Sequence, residues 1–180
     1  MKAVLPETGV AERNDAMDSV YLETTVVGSV AGRIHPNPDI AARQHKTRRW
    51  WATAKSVYRL FISQLLIDEC RAGDPTAAQE RIDEIADLPR LDITDDVHDL
   101  ANALMVGHAI PRSEPRDALH VAIATVHGIE YLVTWNFKHI ANATLRTKIS
   151  DVIRDNGYEP TIICTPEELA GMTDESHDAD

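Results

Sequence analysis

Five oxygen-bearing side chains, Glu23 in a run that otherwise wants apolar residues and four more far from it in sequence, could do chemistry together. Glu23 interrupts Val20-Tyr-Leu-Glu-Thr-Thr-Val-Val27, Asp68 and Glu69 sit together in Gln64-Leu-Leu-Ile-Asp-Glu-Cys70, Asp117 precedes the apolar run Ala118-Leu-His-Val-Ala-Ile-Ala124, and Asn136 follows Leu132-Val-Thr-Trp135. Carboxylates that converge in space repel one another and are costly to bury unless a cation neutralises them. Hard divalent ions with oxygen ligands are the usual answer, and Mg²⁺ keeps several waters while using few carboxylates. A site of that kind activates water and shields a phosphodiester, the logic of metal-assisted hydrolysis. Taken singly, each residue also has a plainer role: Asp117 as first-turn helix charge, Glu69 as an exposed helical acid, Asn136 as a turn residue. The chemistry therefore depends on elements that bring these positions to one place.

Those elements alternate. Val20–Val27 is rich in β-branched and aromatic residues and reads as a strand. After a Gly/Pro loop, Ile40, Thr47, Trp50, Trp51 and Ala54 recur at helical spacing over 39–54. Val57–Ile62 reads as a second strand. Ser63 can cap a helix over 64–72 that Gly73 closes, and Asp74-Pro75 starts another. Leu91–Ile93 is a short strand, followed by a helix capped by Thr94 and ending near Gly107. Ser113 and Pro115 open a helix through His127 that is apolar nearly all round, hence buried on most sides. Tyr131–Trp135 is a strand, Leu145, Ile149, Val152 and Ile153 mark a helix face, and Thr161–Thr165 is a last strand before a terminal turn at Pro166. Five strands alternating with helices predict an α/β fold with a parallel sheet covered on both faces. In open parallel sheets, sites form at the carboxyl ends of the strands. Glu23, the Asp68-Glu69 pair, Asp117 and Asn136 all map to that edge.

The chain of 180 residues, 43% hydrophobic, is long enough for one domain with a core of its own. Residues 1–18 and 171–180 are polar and unpatterned and read as tails, with Met17 a possible alternative start; 19–170 form the domain. Cys70 and Cys164 make no metal-binding or disulfide pattern and suit a reducing compartment. No apolar run approaches the roughly 18 residues of a membrane span, and the N-terminus lacks the apolar middle of a secretion signal; a soluble, cytoplasmic protein is expected. The net charge of −11 is unpromising for a nucleic-acid binder, but its distribution is uneven. Arg33, Arg43, Lys46, Arg48, Arg49, Lys55 and Arg59 accompany a single acid, Asp39, whereas the chain from Glu167 onward carries six acids and no Lys or Arg. The basic stretch either tracks a phosphate backbone or is a solvated helix face.

Four pieces, Val20-Tyr-Leu-Glu-Thr-Thr25, Phe61-Ile-Ser-Gln-Leu-Leu-Ile-Asp-Glu-Cys70, Arg116-Asp-Ala-Leu-His-Val-Ala122 and Leu132-Val-Thr-Trp-Asn136, resemble in order and spacing the motifs of PIN-domain ribonucleases. Asn136-Phe-Lys-His-Ile-Ala-Asn142 and the segment Tyr158–Leu169 resemble the VapC-like toxin branch of that family. The resemblance covers about residues 19–170. It implies a single PIN-like domain with a parallel sheet of about five strands and an acidic pocket holding Mg²⁺ or Mn²⁺. The implied activity is endonucleolytic cutting of single-stranded or loop RNA, leaving a 5′-phosphate and a 3′-hydroxyl. By position, Glu23, Glu69 and Asp117 are the implied catalytic acids and metal ligands, with Asn136 as the auxiliary fourth member; Asp68 competes with Glu69, which the family pattern favours. Implied partners are an RNA substrate, a cognate antitoxin and a second copy in a homodimer.

Two departures from the pattern matter: the first acid is commonly Asp and is here Glu23, and the fourth position is often Asp and is here Asn136. They support an alternative, a catalytically impaired PIN-like module that binds RNA or a protein without cutting. Arg48 and Arg49, beside two tryptophans expected to pack, are candidate RNA contacts. Arg116 either contacts RNA or pairs with a neighbouring acid. Thr24 or Thr25 either packs the strand or helps hold water or phosphate. His120 reads as a satisfied core histidine, and with His127 and His139 it makes no zinc spacing.

Overall fold

The computed structural model describes the backbone of residues 17–175 and the side chains of 17–171. Strands β1 (Ser19–Leu22), β2 (Arg59–Ser63), β3 (Arg90–Leu91), β4 (Tyr131–Val133) and β5 (Ile162–Cys164) form one five-stranded sheet in the order β3-β2-β1-β4-β5. Every pairing is parallel, and β1 runs down the centre with Tyr21 opposite Phe61 on one side and Leu132 on the other. This is the expected α/β architecture. The helices are α1 (Thr24–Val30), α2 (Pro38–Val57), α3 (Gln64–Cys70), α4 (Pro75–Ile85), α5 (Asp95–Val106), α6 (Pro115–Val126), α7 (Ala143–Asp155) and α8 (Pro166–Glu175).

Alternation along the strands sorts the core into two halves, because successive side chains leave opposite faces. Val20, Leu22, Leu60, Ile62, Val133 and Cys164 pack beneath α1, α2, α3 and α8. Tyr21, Leu132 and Ile163 pack on the opposite face against α5, α6 and α7. In α6 a run from Val121 to Thr125 is buried along with Ala118 and His120, as its unbroken apolarity requires. No described helix is long and apolar enough to cross a membrane.

The largest departure from expectation is at Thr24–Val27. This β-branched run is helix, not strand: β1 ends at Leu22, and α1 begins immediately after Glu23. Strand preference is a statement about a pleated, half-buried surface and yields to tertiary context. Here Val26, Val27 and Val30 form one helix face buried in the core, and the Glu23 carboxylate caps the helix by accepting from the Thr25 amide. Val57 likewise belongs to α2 and is 41% exposed, so β2 starts two residues later than the apolar run suggested. Pro166 opens a ten-residue helix rather than a turn, with Leu169 buried, and α8 continues through Glu175 into the segment read as an acidic tail. Residues 1–16 and 176–180, within the two segments read as tails, lie outside the described residues.

Other local signals act as read. Ser63, Asp74 and Thr94 accept from the Leu66, Ala77 and Val97 amides, whereas α3 ends at Cys70 with Arg71 as its cap, two residues short of the expected end, and Gly73, at φ 90°, takes its left-handed conformation in the turn beyond. Ser113 does not cap α6; the cap position is Glu114, without a side-chain bond. Gly107, just past α5, is required by space. A Cβ there would lie 2.8 Å from Val152 Cγ2 on α7 and 3.1 Å from the Ala103 carbonyl. Gly107→Ala should therefore force α5 and α7 apart and cost about 1–3 kcal/mol, read as a lower urea midpoint; an unchanged midpoint would show that the two helices yield freely.

Candidate functional site

The carboxyl ends of β1 and β4, the starts of α1 and α6, and the inner face of α3 meet at one edge of the sheet. Glu23 stands one residue past β1, only 4% exposed. Its Oε2 accepts from the Thr25 amide (3.1 Å), the Thr25 hydroxyl and Thr134 Oγ1 (2.8 Å), so one buried carboxylate oxygen ties α1 to the end of β4. Thr25 Oγ1 in turn accepts from the Trp135 amide at 2.9 Å. A buried carboxylate needs donors of this kind, since each unmet acceptor would carry its full desolvation cost.

Glu69 comes to the same place from α3. Helical geometry turns Asp68 and Glu69 to different sides: the Asp68 side chain is 62% exposed and bonds Gln64, while that of Glu69 is 16% exposed and faces α1 and α6. Glu69 Oε2 accepts from Thr24 Oγ1 and from His120 Nε2 (2.9 Å), and Arg116 Nη1 lies 3.8 Å from Oε1. Burial pushes the Glu69 carboxyl up, but the His120 and Thr24 bonds and the Arg116 charge outweigh it and hold the group below the usual carboxylate range.

Behind His120 runs a chain of buried groups. Its Nδ1 is 2.8 Å from Tyr21 Oη, which is 2.7 Å from Ser63 Oγ, which accepts from the Leu66 amide. A carboxylate only accepts, so Nε2 carries the hydrogen given to Glu69. In the neutral ring Nδ1 then accepts from Tyr21, and Ser63 donates to Tyr21. Burial drives the tyrosine pKa far upward, which keeps the phenol a donor. His120 is thus a satisfied core histidine, as expected, and also the means by which the core holds Glu69.

Asp117 lies on the first turn of α6, one turn before His120. Its Oδ2 accepts from His139 Nδ1 at 2.8 Å, and the His139 amide donates to Asn136 Oδ1 at 3.1 Å. The Asn136 amide donates to Thr134 Oγ1 at 2.9 Å, so hydrogen bonds run continuously from Glu23 through Thr134, Asn136 and His139 to Asp117. Donor atoms of Glu23, Glu69 and His120 lie within 4.8 Å of one another, and those of Glu114, Asp117 and His139 form a second such group. Asp117 is thus the neighbour of the Glu23–Glu69 pair rather than a member of it at that distance.

The Glu23–Glu69 pair fits a hard cation. Its hydrogen bonds all fall on Oε2; Oε1 of Glu23 accepts none among the described residues, and Oε1 of Glu69 meets only Arg116. Carboxylate oxygens grouped in this way suit a hard divalent cation. His120 is not free to join them, since both its nitrogens are engaged.

The candidate RNA contacts separate. Thr24 donates to Glu69, and Arg116, 71% exposed, stands at the rim. Arg48 is occupied: Nε and Nη2 donate to the Val30 and Gly32 carbonyls at 3.0 and 2.5 Å, satisfying the end of α1. Arg49 is exposed and lines a groove between α2 and α8 with Lys46 and Glu167. Trp50 is buried in the core, and Trp51 packs against it with Nε1 bonded to Glu84 at 3.0 Å. Sequence reasoning did not find His139, Thr134, Tyr21 or Ser63 as parts of the site. His139 lies three residues after Asn136 and makes no zinc spacing; the others look like ordinary strand and cap residues.

A central parallel sheet with helices on both faces and carboxylates at its carboxyl edge is a PIN-like fold. Among solved structures, VapC20 of Mycobacterium tuberculosis, a toxin that cleaves the sarcin-ricin loop, is similar, with a TM-score of 0.52 and 18% sequence identity over 69% of this chain and 95% of that one. At that identity the likeness is one of fold. No protein-family model and no curated protein sequence matches the chain.

Tyr21→Phe should leave His120 Nδ1 and the Ser63 hydroxyl without their shared partner in the core. A loss of about 1–3 kcal/mol in unfolding free energy is expected; a variant as stable as the wild type would show that the chain from Ser63 to Glu69 is not continuous.

Proposed function

We propose that this protein is a Mg²⁺- or Mn²⁺-dependent endoribonuclease that cuts single-stranded or loop RNA, and that it is the toxin of a toxin–antitoxin pair. The observation that carries the reading is the pair of carboxylates, Glu23 and Glu69, each keeping one oxygen outside the local hydrogen bonds at the edge of a PIN-like sheet. The sarcin-ricin loop is the RNA cut by VapC20, which shares the fold and lends support to RNA as the substrate class.

Glu23 and Glu69 would hold the ion, with Asp117 completing the acidic set. When bound, the ion supplies positive charge toward the phosphodiester and acidifies water. The chain's own residues then have separate tasks. Thr25, Thr134 and the Thr25 amide fix Glu23; Thr24, His120 and, behind it, Tyr21 fix Glu69 in its ionised form. His139 orients the Asp117 carboxylate. The Asn136 side chain spends Oδ1 on the His139 amide, and its Nδ2, with no partner among the described residues, can donate to a phosphate oxygen. Arg116 at the rim offers charge to the backbone of a polymer. A toxin of this design needs a partner that blocks the acidic edge, and a short antitoxin segment with a basic side chain fits that role. Pairing of two copies belongs to the same reading.

The separation of Asp117 from the Glu23–Glu69 pair favours one other reading, a PIN-like module that binds RNA without cutting. Incubation with structured RNAs in Mg²⁺, Mn²⁺ or EDTA, beside Asp117→Asn, separates the two. Discrete cuts that vanish in EDTA and in the variant are expected. A folded wild-type protein that binds RNA and cuts nothing would establish the binding module instead.

A further inference from the structure

The turn after β4 has an inside and an outside. Thr134 and Trp135 are buried, Asn136 and His139 face the acidic edge, and Phe137 and Lys138 are exposed. Two carbonyls shape it: Trp135 accepts from the Phe137 amide at 2.9 Å, and Asn136 from the Ile140 and Ala141 amides at 3.1 and 2.8 Å. Trp135 Nε1 donates to Thr47 Oγ1 on α2 at 2.8 Å, and Thr47 donates to the Arg43 carbonyl one turn earlier at 2.7 Å. This anchor sets Arg43 across the turn. Its guanidinium carbon lies 5.1 Å from the Phe137 ring centroid and 5.9 Å from that of Trp135, and the two rings meet edge to face 5.9 Å apart.

Four of the other six cations of the Arg43 segment are taken up by the fold. Lys46 and Lys55 pair with Glu167 and Asp87, and Arg48 and Arg59 donate to backbone carbonyls. Arg43 is exposed, with no carboxylate in ion-pair range among the described residues. Phe137, one of two phenylalanines in the chain, is 43% exposed and sits next to Asn136. A planar cation laid on an exposed ring, beside an acidic edge, matches the chemistry of an unpaired nucleotide: a π face to stack on aromatic and guanidinium planes, and a phosphate for the cation.

We propose that Arg43 and Phe137 form a stacking site for an unpaired base of single-stranded RNA, one residue from Asn136. The proposal rests on RNA as the polymer recognised at the acidic edge. A paired base cannot offer its face to the site, so the platform selects single-stranded segments over duplex.

The test is binding of a labelled short single-stranded RNA, followed by fluorescence anisotropy in EDTA so that neither metal nor cleavage contributes. Phe137→Ala should weaken binding about tenfold, while Phe137→Tyr, which keeps the ring, should bind close to wild type. Arg43→Ala should weaken binding and reduce the salt dependence by about one released counterion. An oligonucleotide of the same length carrying abasic sites should bind wild type and Phe137→Ala alike. Thermal melts confirm that each variant is folded. Equal affinity of Phe137→Ala and wild type for the base-bearing RNA would overturn the stacking site, as would tighter binding of the matching duplex. The two readings fail separately: binding that needs Phe137 without any cutting sinks only the nuclease, and metal-dependent cutting with unchanged KM in Phe137→Ala sinks only the platform.

Discussion

One buried carboxylate organises the acidic edge of this protein. Glu23 ends the central strand almost wholly inside the structure, and three donors from α1 and β4 converge on a single oxygen of it. The charge cannot be left unsolvated there, so the surrounding chain must supply donors. Meeting that demand sets the direction of α1, draws the end of β4 against the end of β1, and places the turn that carries Asn136 and His139. The same bonds leave the carboxylate's other oxygen available, which is what makes a structural cap into a candidate ligand.

Glu69 and Asp117 are held by the same principle but from other layers. Glu69 is reached through the far half of the core: Tyr21 points away from Val20 and Leu22, meets His120 on α6, and His120 passes a hydrogen bond back to Glu69. The helix most deeply buried therefore positions a residue at the edge. Asp117 is held by His139 from the opposite side, so the acidic edge is braced by both helical layers and by the loop after β4. Connected polar networks of this kind favour one arrangement, because breaking a link leaves a buried group unpaired at more than the cost of the bond.

The charge distribution takes on a different meaning in three dimensions. The basic stretch that looked like a continuous phosphate track is mostly spent on the fold itself, in ion pairs to Glu167 and Asp87 and in bonds to the ends of other elements. Arg43, resting on aromatic rings, Lys138, exposed in the turn after β4, and Arg116, at the rim beside Glu69, are cations placed near the acidic edge. Counting charges along a segment gave no way to tell these roles apart, since each depends on what lies across the groove.

The short apolar, β-branched runs of β1, β2 and β4, the caps at Ser63, Asp74 and Thr94, and the unbroken apolarity of α6 are local properties, so the chain alone announced a parallel α/β sheet and the order of its parts. It also announced which acids to examine, because Glu23 interrupts an apolar pattern and Asp117 opens the most apolar helix. Thr24–Val27 was misread because β-branched residues serve a buried helix face as well as a strand, and only the packing of Val26, Val27 and Val30 decides between them. Tertiary structure also decided that Asp68 turns to solvent and Glu69 inward, that Asp117 pairs with His139, and that His120 connects the core to the edge. These are contacts between residues 22 to 99 positions apart or on different faces of a helix, and no spacing rule encodes them. They follow from which surfaces the sheet brings together, which is a property of the folded chain and not of any window along it.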